Sequence, residues 1–217
     1  LAKLFEELEN EEDADQFNSI HERLVETFAG FGVSGLMHFA SMKDSEEDRA
    51  TVEYLMDCAR QAGIDGRQIY MEDIGVDSQG LFIDPDDQAI HRLFKLYPWE
   101  LMWNDEYAPL LPKCDTTFVE PAWKIVLTNK GILPLLWERL PGHSNLLPAW
   151  FHDMAKAPPV SDFVVKPLLS REGANIYVFR DHLQVFAADG RYGKEGYVGQ
   201  QLCPPPYVDG QGPVCGV

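Results

Sequence analysis

The strongest constraint on the fold is a strand, helix, strand pattern between residues 35 and 74. GLMHFAS is short, apolar and β-like; EEDRATVEYLMDCARQAG follows with apolar residues at helical spacing and a closing Gly63; GRQIYMEDI then reads as a second strand. Two strands joined through a helix pair in parallel by a right-handed crossover, which places the segment in an open α/β sheet. Upstream, residues 17–32 carry apolar side chains at 17, 20, 24, 25 and 28, the period of a helix closed by Gly30 and Gly32. Downstream, DSQG before LFID predicts a hairpin, and DQAIHRLFKLYPWELM predicts a helix that kinks or ends near Tyr97, ahead of Pro98. TTFVEP reads as a strand and AWKIVLTNKGILPLLWERLPG as a mostly helical segment punctuated by Gly131 and Pro134.

HDMAKAPPVSD has the proline content of a linker, so the sequence predicts a boundary near 157–162, with an α/β part over 1–160 and a second part over 161–217. In the second part FVVKPLL, NIYVFRD, LQVFAA and GYVGQQLCPPP are four β-like runs between turn residues, the pattern of a largely antiparallel sheet. The fold class expected is α/β (α+β). A net charge of -17 argues against nucleic acid or an anionic membrane as partner, and it suits a cationic ligand as well as it suits plain solubility. Cys58, Cys114, Cys203 and Cys215 are scattered without a C-x-x-C pair, which fits free thiols in a reducing cytoplasm rather than a zinc site or a disulfide framework. The absence of an initiator Met and the Gly-rich GPVCGV terminus lead us to expect a segment of a longer chain.

Lys166 ends an apolar β-branched run, where an ammonium is costly without a partner, and a loop centred on Gly173 follows it with Arg171. Backbone amides plus Lys and Arg are what a polyphosphate requires; a hairpin lysine that snorkels to solvent is the competing reading. Lys130, beside Gly131 at the start of an apolar helical segment, is a second cation of this kind or an ordinary helix-end residue. Gln200 and Gln201 lie on a strand running into prolines, an edge that could offer backbone groups to an adenine or simply a stiff exit. Glu46, Glu47 and Asp48 open a helix, where carboxylates complement the macrodipole and can also hold an ammonium. Glu72, Asp73 and Asp77 read as turn residues, and the six dispersed histidines as structural. No P-loop, G-x-S-x-G, H-E-x-x-H or supported G-x-G-x-x-G occurs.

The strings QFNSIHERL, EDIGVDSQGLFID, LFKLYPWELM, EPAWKIVLTNKGILPLLWERLPGHSNLLPA and VKPLLSREGANI together resemble the synthetase domain of the glutathionylspermidine synthase family, an ATP-grasp group. The resemblance runs from about residue 17 to the end. It implies an ATP-grasp-like fold and an ATP-dependent carboxylate-amine ligase: a carboxylate such as the glycine end of glutathione attacks the γ-phosphate, and a polyamine displaces phosphate from the acyl phosphate. It implies that Lys130 and Lys166 hold nucleotide phosphates and that Arg171, with Ser170, Glu172, Gly173, Ala174 and Asn175, covers them and the reacting carboxylate. Gln200, Gln201 and Leu202 would line the adenine pocket, and Glu46 and Glu47 would lie near the amine and glutathione. Mg²⁺ is implied as well, with its ligands outside this segment.

Three departures qualify the transfer. Leu96 and Leu101 stand where the bifunctional synthetases carry glutathione-binding threonines, which puts glutathione as the acid in question; Ser170 replaces a glycine; and the resemblance implies that the family's metal-binding segments would precede Leu1 and follow Val217, without an amidase domain. The competing function is a non-catalytic module that holds nucleotide or peptide, and the segment alone is expected to be catalytically incomplete.

Overall fold

A computed structural model describes residues 18–33 and 35–204; the expected helix position Phe17, and Cys215, lie outside them. The chain divides into two compact units, Leu1–Ala122 and Trp123–Val217.

In the first unit, α1 (Ile20–Gly30) precedes β1 (Leu36–Ser41), α2 (Glu46–Gln61) and β2 (Asp65–Tyr70). β1 and β2 pair in parallel from Leu36↔Asp65 to Ser41↔Tyr70, the crossover that the sequence pattern requires. Ser45 caps α2 by accepting from the Asp48 N–H at 3.2 Å. Gly63 ends that turn at φ +86°, donating to Arg60 O while Ile64 donates to Ala59 O. A hairpin of β3 (Gly75–Val76) and β4 (Phe82–Ile83) follows, as expected. Phe28, Met37, Phe39, Val52, Met56 and Ile64 pack the core between the helices and β1. Phe39 has no exposed surface, a burial worth roughly 2–3 kcal/mol.

The segment expected as a helix over 87–102 is instead β5 (Arg92–Lys95) followed by the short α3 (Trp99–Met102), with Pro98 capping α3. β5 is a strand because both of its edges are used, by β1 through His38↔Leu93 and by β6 (Thr117–Val119) through Arg92↔Thr117. The sheet order is therefore β2-β1-β5-β6, all parallel. The chain leaves β1 toward β2 and returns on the other side of β1, which makes the carboxyl ends of β1 and β5 a topological switch point.

The second unit holds α4 (Ile125–Thr128), α5 (Ile132–Arg139), β7 (Ala149–His152), β8 (Phe163–Pro167), β9 (Tyr177–Arg180), β10 (Leu183–Ala187) and β11 (Tyr197–Gln201). Its sheet is antiparallel throughout, in the order β10-β9-β8-β11-β7. The expected boundary at 157–162 falls inside this unit, because β7 lies before the proline-rich stretch and yet pairs with β11 from Tyr197↔His152 to Gln200↔Ala149. Pro134 is tolerated in α5 because it sits in the first turn, where the missing N–H would have had no helical partner. Among the described residues no helix is long and apolar enough to cross a membrane.

Candidate functional site

The two candidate phosphate lysines both act on β8 and its exit. The Lys130 N–H donates to Leu168 O at 2.9 Å, which seats the start of α5 against the residue just beyond β8. From there the Lys130 ammonium donates to Ser170 O at 2.6 Å and to Ser170 Oγ at 3.0 Å. Gly131 is small for a reason: a Cβ there would sit 3.3 Å from both Leu168 Cδ2 and Phe151 Cε1, and its N–H is held by Asn129 Oδ1. Lys166 lies within β8, half-buried, and donates to Gln200 Oε1 on β11 at 2.9 Å. Burial pushes its ammonium pKa below the ordinary lysine value.

Between these contacts runs the 170–175 loop. It turns tightly, with Glu172, Gly173 and Asn175 at φ 53°, 73° and 55° and the Ala174 N–H bonded to Arg171 O at 3.0 Å. Asn175 is buried and its Oδ1 accepts from the Tyr192 N–H at 2.8 Å, so the far end of the loop is fastened to the 189–193 segment. Arg171, Glu172 and Gly173 form its exposed crest. Lys130, Ser170, the loop, Lys166 and Gln200 thus share one region of the second unit.

Gln200, Gln201 and Leu202 differ from the edge expected for them. β11 lies between β8 and β7, inside the sheet. The Gln201 N–H donates to Pro148 O at 2.8 Å and the Leu202 N–H to Asp162 O at 3.0 Å, so both donors are engaged by the chain itself.

Glu46 and Glu47 belong to the first unit. Both are exposed in the first turn of α2, directly after the loop that leaves the carboxyl end of β1. They therefore stand at the edge where open parallel sheets receive ligands, and they complement the helix dipole there. The same edge carries groups that sequence reasoning missed once it took β5 for a helix. Lys95 is buried, donates to Tyr97 O at 2.6 Å and lies 3.8 Å from the centre of the Trp99 ring. The Tyr97 hydroxyl donates to Asp105 Oδ2 at 3.0 Å; burial and that carboxylate push its pKa up to about 12. Among the described residues Ser41 Oγ is buried at the end of β1 without a hydrogen-bond partner.

No group of three or more His, Cys, Asp or Glu side chains among the described residues could hold a metal ion. Glu72 and Asp73, read as turn residues, bind the Lys43 backbone and side chain, Glu72 Oε1 accepting from the Lys43 N–H at 3.1 Å.

Comparison with known proteins bears on this geometry. The sequence model of the family described as glutathionylspermidine synthase preATP-grasp matches residues 2–217. A Haemophilus influenzae protein named "Putative acid--amine ligase" is 42% identical over 222 residues, an alignment covering 97% of this chain and 56% of that protein. Trypanothione synthetase of Crithidia fasciculata is 24% identical, over 85% of this chain and 32% of the relative. The bifunctional glutathionylspermidine synthetase/amidase of Escherichia coli is 26% identical, over 81% and 32% respectively. The chain thus spans about half the length of the first relative and a third of the other two.

Proposed function

Because this chain belongs to the glutathionylspermidine synthase preATP-grasp family, we propose that it forms part of an ATP-dependent ligase that joins a carboxylic acid to an amine. The carboxylate oxygen attacks the γ-phosphorus and ADP departs, leaving an acyl phosphate. The amine nitrogen then attacks the acyl carbon, phosphate leaves, and the nitrogen loses its proton to give the amide.

The observation that carries this reading is the gathering of Lys130, Lys166 and the 170–175 loop around one strand and its exit. Phosphoryl transfer needs positioned positive charge and exclusion of water more than it needs covalent chemistry from the protein. Lys130 and Lys166 supply the charge. Arg171, at the exposed crest, closes over the reacting carboxylate and phosphate with Ser170, Glu172, Gly173, Ala174 and Asn175. The segment containing Gln201 and Leu202 borders the base. Glu46 and Glu47, exposed at the carboxyl edge of the parallel sheet, receive the cationic amine, a polyamine or a relative of one, and a glutathione-like peptide supplies the acid. Mg²⁺, when bound, would offset triphosphate charge as it moves; among the described residues no group of three or more His, Cys, Asp or Glu could hold it.

The test is calorimetry of Mg-ATP binding to the full-length protein and its Lys166→Ala variant, with phosphate release followed when spermidine and glutathione are added. Saturable binding weakened at least tenfold in the variant, with release only when acid and amine are both present, is expected. A folded full-length protein that binds no nucleotide would overturn the reading and leave a non-catalytic module.

A further inference from the structure

Gln200 accepts, through its side-chain oxygen, a hydrogen bond from the Lys166 ammonium at 2.9 Å. Its backbone is enclosed by two neighbouring strands, paired with Val164 on one side and Ala149 on the other. Its side chain reaches diagonally to Lys166, which pairs in register with Val198, so the amide and the ammonium share one face of the sheet. Register places Val164, Val178, Ala149, Val198 and Phe151 beside them on that face, with Phe186 and Arg180 farther out on β10 and β9. Beside these apolar neighbours a hydrogen bond helps fix the half-buried ammonium, and a charge placed next to it is screened less than in bulk water. Among the described residues no carboxylate pairs with Lys166, in a chain with 35 acidic residues.

We propose that Gln200 is a positioning residue for Lys166: its neutral amide oxygen holds the ammonium across β8 and β11 without cancelling its charge, so that the full positive charge is presented to a polyphosphate. The inference rests on the nucleotide-binding reading above. A glutamate at position 200 would hold the ammonium equally well, but it would return a negative charge to the phosphate side. A side chain without an acceptor would leave the ammonium unanchored.

The experiment titrates the full-length protein and its Gln200→Glu and Gln200→Met variants with two probes, Mg-ATP and inorganic tripolyphosphate, which has no base. Gln200→Glu should weaken both probes at least tenfold and by the same factor, and the near-isosteric Gln200→Met should weaken both about three- to tenfold. A loss confined to Mg-ATP, with tripolyphosphate unchanged, would overturn the proposal and return Gln200 to the adenine pocket. Unchanged affinity for both probes in the variants would overturn it as well. Should Gln200→Glu fail to fold, by its thermal melt, Gln200→Met decides alone. Lys166→Ala, run in parallel, separates the two levels: equal binding by wild type and Lys166→Ala removes the nucleotide reading itself, whereas a defect in Lys166→Ala without one at position 200 removes only the positioning role.

Discussion

Asp84→Asn removes one charge from a buried junction of the first unit, and the cost can be worked from its contacts. Oδ1 accepts from the N–H groups of Asp86 at 3.0 Å and Gln88 at 2.9 Å, while Oδ2 accepts from Arg67 Nη1 at 2.6 Å and is 3.0 Å from His38 Nε2. Burial raises the carboxyl pKa, but these donors outweigh it, led by the Gln88 N–H, and the pKa lies at about 2. Against an unfolded value of about 3.9, that gap corresponds to roughly 2–3 kcal/mol of stability at neutral pH. Because the folded pKa is the lower one, the contribution is complete above about pH 4 and fades as pH falls toward 2. Asparagine keeps an oxygen for Asp86 and Gln88 but places an amide NH₂ against two donors. His38 can exchange tautomers, since its buried Nδ1 has no partner, whereas Arg67 cannot cease to donate. The expected loss is about 2–4 kcal/mol at pH 7, measured by urea denaturation, with the difference from wild type shrinking toward pH 2. A variant within about 0.5 kcal/mol of wild type at pH 7, or a difference that stays constant down to pH 2, would refute the argument.

Two further outcomes follow from close approaches in the second unit. Gly190→Ala would put a Cβ 2.5 Å from Asn175 Oδ1 and 2.8 Å from Ala174 Cβ, so it should unseat the 170–175 loop and raise the rate of tryptic cleavage after Arg171 about threefold or more, read from a digestion time course. Gly199→Ala would put a Cβ 2.3 Å from Trp150 Cε2 across β11 and β7, and about 2 kcal/mol of destabilisation with a shifted tryptophan emission maximum is expected; an unchanged melt would show that Trp150 has room to move.

Local patterns were legible wherever local contacts decide the structure. α1, α2 and the first crossover follow from apolar spacing and the glycine at the end of α2, and the four strands after residue 160 from their turn residues. β5 was not legible, because Ile90, Leu93, Phe94 and Tyr97 are spaced like one face of a helix. Only the availability of β1 and β6 on either side makes that segment a strand, and those partners come from about 50 residues before it and 20 after it. With β5 went the carboxyl edge that gathers Lys95, Tyr97 and Trp99. Lys130 and Lys166 stood out as cations at apolar runs, but the hydrogen bond from Lys166 to Gln200 depends on the register of β8 against β11, which no local pattern encodes.

The chemistry of those two lysine contacts bears on how a polyanion could replace them. The Lys130 ammonium donates to the carbonyl and hydroxyl of Ser170 among its contacts, and Lys166 donates to an amide oxygen. Exchanging a neutral oxygen for a phosphate oxygen converts an ordinary hydrogen bond into a charge-assisted one, which is roughly twice as strong, and strands no charge when the first partner leaves. Had a carboxylate held Lys166, binding would first have to break a half-buried ion pair and then place a triphosphate against the carboxylate left behind, at a cost of several kcal/mol. For Lys130 the proposed exchange has a mechanical side, because Ser170, which accepts from its ammonium, is the first residue of the 170–175 loop. On the proposed reading, an ammonium that turns to phosphate gives up its bonds to Ser170, while the contact between Asn175 and the Tyr192 N–H stays at the other end of the loop, which would couple ligand binding to movement of its first residue.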